Sequence, residues 1–509
     1  MSADPVLLSI KDHRVHFRLA NARLPFHFGM VTLREAWQMT LVVTVEDAQG
    51  RRAVGVAGDT LAPRWFDKDP AKPLSQNLVD LARATDWARA AFTAHDAPLP
   101  LFTRWQEAYH ATLEKSRAEK LPDLVGSYGA SVWERALWSA LARLTQQPFH
   151  MVLRENWGGV DLAALHPELA GIAPSDILPG QPPRRIFLRH TVGGADPLTR
   201  ADDCSADPKD SRPYTLDENI RQFGLRYFKL KIFGDVAKDF ARLQAIARVL
   251  DQTVPLDHRS ANSTASVGPR YHVTIDGNES YREFAAVEEL VARLKADPAL
   301  EQFRQNILFI EQPLHRDVSF DPANAPALAR LTSFKRVIID EADQNLDSWR
   351  RAAELGYGGV SAKNCKGVIK SIANKALMQV FRQEKTRYPG GPFVQSGEDL
   401  TNLPVVPLQQ DLTTLAALGI PHAERNGHHF YAGASHLSAA ERAAAQQAHR
   451  SLYESHGDKL FVAVHDGQLD LHSLQQPGYG LAPQLERLSE NPPGTLDRTA
   501  WLAQMKGQP

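Results

Sequence analysis

The chain is poor in the features that mark many protein classes. Its 509 residues include two cysteines, Cys204 and Cys365, too few for a disulfide framework and suited to a reducing compartment. Its charges nearly cancel, leaving a formal net charge of -1. No electrostatic case for nucleic acid or an acidic membrane as partner follows. No apolar run is long enough to span a bilayer. The opening MSADPVLLSIKDHRVHF lacks the uninterrupted apolar core of a secretory signal, so a cytoplasmic location is expected. No glycine fingerprint for a dinucleotide or a P-loop follows the first strand. That counts against an open doubly wound sheet built for nucleotides.

A hydrophobic fraction of 43% and a charged fraction of 23% predict a sizeable packed core. The first 60 or so residues read as strands, with MTLVVTVED and RRAVGVAGD forming a hairpin around Gly50. Between 76 and 146 the period becomes helical, and Trp133, Leu137, Ala140, Leu141 and Leu144 share one helix face. From about residue 185, short apolar strands alternate with amphipathic helices about eight times over roughly 250 residues. The expected fold is therefore α/β, a (β/α)8-type barrel with an α+β capping domain built from the N-terminal region and the C-terminal tail. Expected boundaries are 1–180 for the cap, 181–435 for the barrel and 436–509 for a tail that packs back on the cap, including a second short hairpin in KLFVAVHDGQLDLHSLQQPGYGLAP. Two long polar loops, 193–215 and 258–270, stand out as candidate lids.

The barrel strands carry charge where a core strand should not. In RYFKLKIFGD, Lys229 and Lys231 are two residues apart and point to the same face. Phe228, Leu230 and Ile232 point outward to the helices. The lysines then face the barrel interior near the C-terminal end of the strand, where such barrels build active sites. The next strands end in Asp276 (HVTIDGN), Glu311 (ILFIEQP), Asp340 with Glu341 (RVIIDEA) and Lys363 (GVSAK). Three converging carboxylates repel one another unless a cation joins them, and hard oxygen donors in this number suit Mg²⁺, with Mn²⁺ as a substitute. Lysines on both sides of such a site point to removal of a proton α to a substrate carboxylate, through an enediolate. Taken singly, an acid at a strand end is often a helix cap, and Lys366, beyond the apolar run, is expected in solvent. Glu341 is expected beside the ligands rather than among them, and Cys365 as a small buried or half-buried thiol.

The series KLK, DGN, EQP, DE and a following lysine resembles the enolase superfamily, in its muconate cycloisomerase-like branch (the mandelate racemase/muconate lactonizing enzyme family). PFHFGMVTLREAW and VEDAQGRRAVGVAGD are similar to that family's capping sheet, SVWERALWSALARLTQQPFH to the helix before its barrel, and HDGQLDLHSLQQPGYG to its C-terminal strands. The resemblance implies Asp276, Glu311 and Asp340 as Mg²⁺ ligands, and Lys231 and Lys363 as acid/base groups on opposite faces of the substrate. It implies Lys229 as anchor of the substrate carboxylate, lowering the pKa of Lys231, and Asn278 as a hydrogen-bond group to the substrate or beside the ligands. Glu398 or Asp399 in SGEDLTN stands where relatives carry a substrate-contacting acid, and Pro25, Phe26, His27, Phe28, Arg64, Trp65 and Phe66 stand in cap loops that read the substrate's far end. The chain departs from the pattern in KNCKGVIKS, with one glycine where relatives have two, and in DEAD for the usual Asp-Glu-Ser.

Two lysines permit racemisation or epimerisation, the first expectation. The same metal site permits cycloisomerisation or acid dehydration, the latter with histidines such as His422, His428 or His429. A catalytically inactive barrel acting as a binding module is the alternative of another class. The expected partner is a small-molecule carboxylate, with self-association into a homo-oligomer as a further expectation.

Overall fold

The computed structural model describes residues 4–28, 31–255 and 270–506. The predicted loop 258–270 lies outside them except for Arg270.

Three long antiparallel strands, Leu7–Phe28, Val31–Asp47 and Arg52–Leu61, form the capping sheet. The hairpin between the last two closes with Glu46 opposite Arg52. The Asp47 carboxylate accepts from the amides of Gln49 and Arg51, at 3.0 and 2.8 Å, and Gly50 supplies the positive φ of 79° that the turn needs. Helix Asp123–Thr145 packs on this sheet, and helices Leu74–Phe92 and Leu101–Ala118 pack against that helix. Helix Asp123–Thr145 is buried on nearly every side, so its apolar stripe is far wider than one face. It lies so close to the sheet that a Cβ on Gly55 would come within 2.1 Å of the Ala136 carbonyl oxygen.

Eight parallel strands make the barrel: Arg185–Val192, Tyr227–Lys231, His272–Asp276, Ile307–Glu311, Arg336–Ile339, Gly359–Ala362, Val394–Gly397 and His422–Arg425. The eighth pairs with the first, His422 opposite Phe187 and Arg425 opposite His190, which closes the ring. Among the described residues no helix is long and apolar enough to cross a membrane.

The tail divides between the two units. Lys459–Val462 pairs with the upstream strand Tyr453–His456, whereas Gln468–Asp470 runs antiparallel to the first barrel strand. The hairpin expected within KLFVAVHDGQLDLHSLQQPGYGLAP is thus two separate pairings, because Leu469 is drawn into the barrel core. Leu496–Asp497 adds an edge to the first cap strand, and the following helix stacks Trp501 on Phe17 at 4.1 Å. The polar loop 193–215 is tied down rather than free: Arg23 of the cap holds Asp210 at 2.7 Å, and Asp196 caps the Gly193 amide at 2.7 Å.

Candidate active site

Strand alternation delivers the charged side chains. Phe228 and Leu230 are fully buried against the helices, and Lys229 and Lys231 turn into the barrel. Lys231 stands opposite Asp276, and Asp276 opposite Glu311, in the parallel ladder. Asp340, Lys363 and Glu398 each follow the last residue of their strand, so all meet at the C-terminal mouth.

Lys229 is the hub. Its ammonium lies 2.9 Å from Asp276, 3.0 Å from Glu311, 2.6 Å from Glu398 and 3.1 Å from Glu424. Burial disfavours the charged lysine, but these four carboxylates outweigh it and hold its pKa well above the ordinary value. Glu398 is committed within the chain. One oxygen takes Lys229, while the other accepts from Arg189 and, at 2.5 Å, from the Ser396 hydroxyl. Asp399, not Glu398, lines the adjacent cavity. The inward parity of its strand places Glu398 against Arg189 and Lys229.

Lys231 donates to Asp276 and to the Asn278 side-chain oxygen, both at 2.6 Å. Asn278 in turn donates to Glu341 at 3.0 Å, which places Glu341 beside the ligand-type carboxylates, as its sequence position implies. Across the mouth, Lys363 meets Asp340 at 2.8 Å and lies 4.2 Å from the ring centre of Trp65. Lys366, expected in solvent, is fully buried. The short 3₁₀ turn Asn364–Lys366 folds it back inside, where it donates to Asp340 Oδ1 at 2.9 Å, the Asp340 carbonyl at 2.6 Å and Ser361 at 2.7 Å. For Asp340, burial would raise the pKa, but Lys363 and Lys366 dominate and hold it well below the carboxylate range.

These groups border a small cavity between barrel and cap. Lys229, Lys231, Asn278, Lys363, Asp399, Leu400, Glu424 and Asn426 line its barrel side, and Phe26, Ala62 and Trp65 its cap side. Arg64 turns away to the carbonyls of Pro70 and Lys72, and His27 bonds Thr32 in a separate groove. His422, His428 and His429 are all buried and none lines the cavity. His422 pairs with Arg189 at 2.9 Å and His428 with His190 at 2.9 Å, and among the described residues no histidine lines the cavity.

Among the described residues, no three carboxylate, imidazole or thiol groups stand ready as a metal cage, because lysines are interposed between the acids. The donor chemistry nevertheless suits a hard divalent cation. Glu311 Oε2 is buried without a hydrogen-bond partner. Burial first, then the Asp276 and Glu398 charges, push the Glu311 carboxyl well above its usual range. Asp276, Glu311 and Asp340 are the groups that could share a cation.

Glu424 escaped sequence reasoning. Its strand, HAER, has one apolar residue facing the helices and no apolar run. The signal was alternation: His422 and Glu424 share the inward face. Glu424 receives Thr191 at 2.9 Å, the Asp399 amide at 3.1 Å and Asn426 at 3.2 Å. Arg189 and Thr191, inward by the same rule in RRIFLRHT, were equally readable.

No family model and no curated protein matches the sequence. Solved structures do match. A mandelate racemase/muconate lactonizing protein from Herpetosiphon aurantiacus superposes with TM-score 0.55 at 18% identity, over 93% of this chain and 98% of that one. A dipeptide epimerase from Enterococcus faecalis V583, complexed with Mg and the dipeptide L-Leu-L-Tyr, gives 0.55 at 14%, over 93% and 99%. A member of the enolase superfamily from the same organism gives 0.56 at 13%, over 97% and 99%. The chain shares its fold with these structures, and the expected barrel and capping sheet are borne out.

Proposed function

We propose that the chain is a Mg²⁺-dependent enzyme (Mn²⁺ substituting) that removes and returns the proton α to the carboxylate of a small-molecule acid, as a racemase or epimerase. One observation carries this reading: Lys231 and Lys363, from the second and sixth strands, border the same cavity from different sides. A substrate α-carbon between them has a proton acceptor on one face and a proton donor on the other. Burial would lower the pKa of Lys363, but Asp340 outweighs it and raises it, which favours the proton-returning form when Lys231 is the base. Asn278 and Asp276 fix the Lys231 ammonium from two directions. Lys229 adds positive charge beside the place a substrate carboxylate would take.

Asp276, Glu311 and Asp340 would hold the cation, which supplies stabilisation of the negative charge that develops on the substrate carboxylate. Phe26, Trp65 and Leu400 face the remainder of the substrate, which favours an apolar substituent. The dipeptide epimerase and the mandelate racemase/muconate lactonizing protein of the same fold give the reaction class its precedent.

The test is incubation with Mg²⁺ and a panel of single-enantiomer α-substituted carboxylates in D₂O. We expect loss of the α-proton signal together with racemisation for at least one acid. Racemisation should vanish in Lys231→Ala and in Lys363→Ala. No exchange with any acid would defeat the enzyme reading. Full activity of Asp276→Ala in the presence of chelator would defeat the metal assignment. Turnover that needs Lys231 alone would replace racemisation by a one-base elimination or cycloisomerisation.

A further inference from the structure

The cap reaches both candidate bases through one short segment, the loop after strand Arg52–Leu61. Trp65 is buried there, with its ring facing the Lys363 ammonium at 4.2 Å. The same ammonium pairs with Asp340 at 2.8 Å. Lys366 is 6.0 Å from the same ring and is held by Asp340 and Ser361 instead. Three residues on, Lys68 donates to the Asn278 carbonyl at 2.7 Å, and Asn278 holds Lys231.

The loop is clamped to the barrel. Arg316, after the fourth strand, donates to the Phe66 carbonyl at 2.9 Å and the Trp65 carbonyl at 2.8 Å. It also forms a two-pronged pair with Glu279, at 2.7 and 2.8 Å, and Lys68 closes on the same carboxylate at 2.6 Å. Every member of the clamp except Lys68 is nearly inaccessible to solvent. An arginine fork fixed on a carboxylate and two backbone carbonyls leaves the loop little freedom to swing.

We propose that Trp65 is a positioning residue for Lys363: its ring face and Asp340 together fix the ammonium, and the Glu279–Arg316–Lys68 clamp holds the ring in place. An aromatic face attracts an ammonium most strongly where water is excluded, as it is here. The geometry of one base thus depends on the closed state of the cap. The catalytic consequence rests on Lys363 being a base, as proposed above. The positioning itself does not.

The test uses the full chain and two readouts. Reductive methylation with formaldehyde and cyanoborohydride, mapped by mass spectrometry, reports the availability of Lys363 without any turnover. Lys238, whose side chain is 86% exposed, is the internal standard. In folded Trp65→Leu, and in Arg316→Gln, methylation of Lys363 should rise about tenfold, and Trp65→Phe should restore the wild-type value. With a substrate in hand, Trp65→Leu should lower kcat for exchange of the antipode whose α-proton faces Lys363, about tenfold, leaving the other antipode near wild type. Unchanged methylation of Lys363 in folded Trp65→Leu overturns the inference. So does an equal rise in KM for both antipodes with methylation unchanged, which would assign Trp65 to the substrate. If no acid exchanges at all, the methylation result still decides the positioning claim, so the two failures are separable.

Discussion

The two flanks of the cavity solve the same problem differently. On the Lys231 flank, two lysines share Asp276, and Lys229 spreads its charge over three further carboxylates, Glu311, Glu398 and Glu424. On the Lys363 flank, two lysines converge on the single carboxylate of Asp340, with the Ser361 hydroxyl as a third donor. Behind them Lys370 pairs with Asp343 at 3.0 Å. The first flank is a distributed network in which each charge has several partners. The second is concentrated, and an aromatic ring from the cap completes it. A concentrated arrangement fixes one base tightly but depends on one acid and on the cap.

Removing the shared acids breaks that comparison most severely. Asp340→Ala leaves the buried Lys363 ammonium without an acid, and Lys366 with only the residue-340 carbonyl, Ser361 and Asp343 at 3.6 Å, and should cost about 3–5 kcal/mol of stability. Asp276→Ala leaves Lys231 with Asn278, and Lys229 with its other three acids, so it should cost less, about 1–3 kcal/mol. Urea unfolding of the two variants measures the difference, and equal losses would erase the distinction between the flanks.

Removing one cation is milder. Lys366→Met leaves Asp340 with Lys363 and Ser361, and Asp343 with Lys370, and should cost about 1–2 kcal/mol. A larger loss than for Asp340→Ala would mean that Lys366, not Asp340, organises the flank.

The smallest effect comes from where this flank enters the cap. Glu134 of helix Asp123–Thr145 accepts from the Ile369 amide at 2.7 Å, at the start of the helix after the sixth strand. Burial pushes its carboxyl from 4.5 to about 7. A carboxyl raised by folding contributes stability below its ordinary value that is lost as pH rises through the folded value. Glu134→Gln should therefore change little at pH 5 and gain about 1 kcal/mol at pH 8. Thermal unfolding at the two pH values checks this, and a gain of equal size at both would refute the titration.

The flanks also differ in how far their residues could be read beforehand. Lys229, Lys231, Asp276, Glu311, Asp340 and Lys363 were legible because each ends an apolar run, and strand alternation then dictates its direction. Glu424 was hidden because its strand is only His422–Arg425 and has no apolar run to mark it. Lys366 was misplaced because position beyond a strand was equated with exposure, whereas a tight 3₁₀ turn brings it back onto Asp340. Glu398 showed its position but not its partners. Arg189, which claims one of its oxygens, comes from the first strand, and a single sequence carries no sign of that pairing. The order of strands and helices that gives the barrel was legible from period alone. The route of the tail was not, since Gln468–Asp470 and Leu496–Asp497 are too short to reveal which edge they join.

The central claim is that Lys231 and Lys363 serve opposite faces of one α-carbon. The most direct measurement starts from each pure antipode of an accepted acid in D₂O and follows α-proton loss in Lys231→Ala and in Lys363→Ala. Each variant should fail to racemise, and each should still exchange one antipode, a different one for each variant. Both variants exchanging the same antipode, or either one still racemising, would contradict the two-base arrangement.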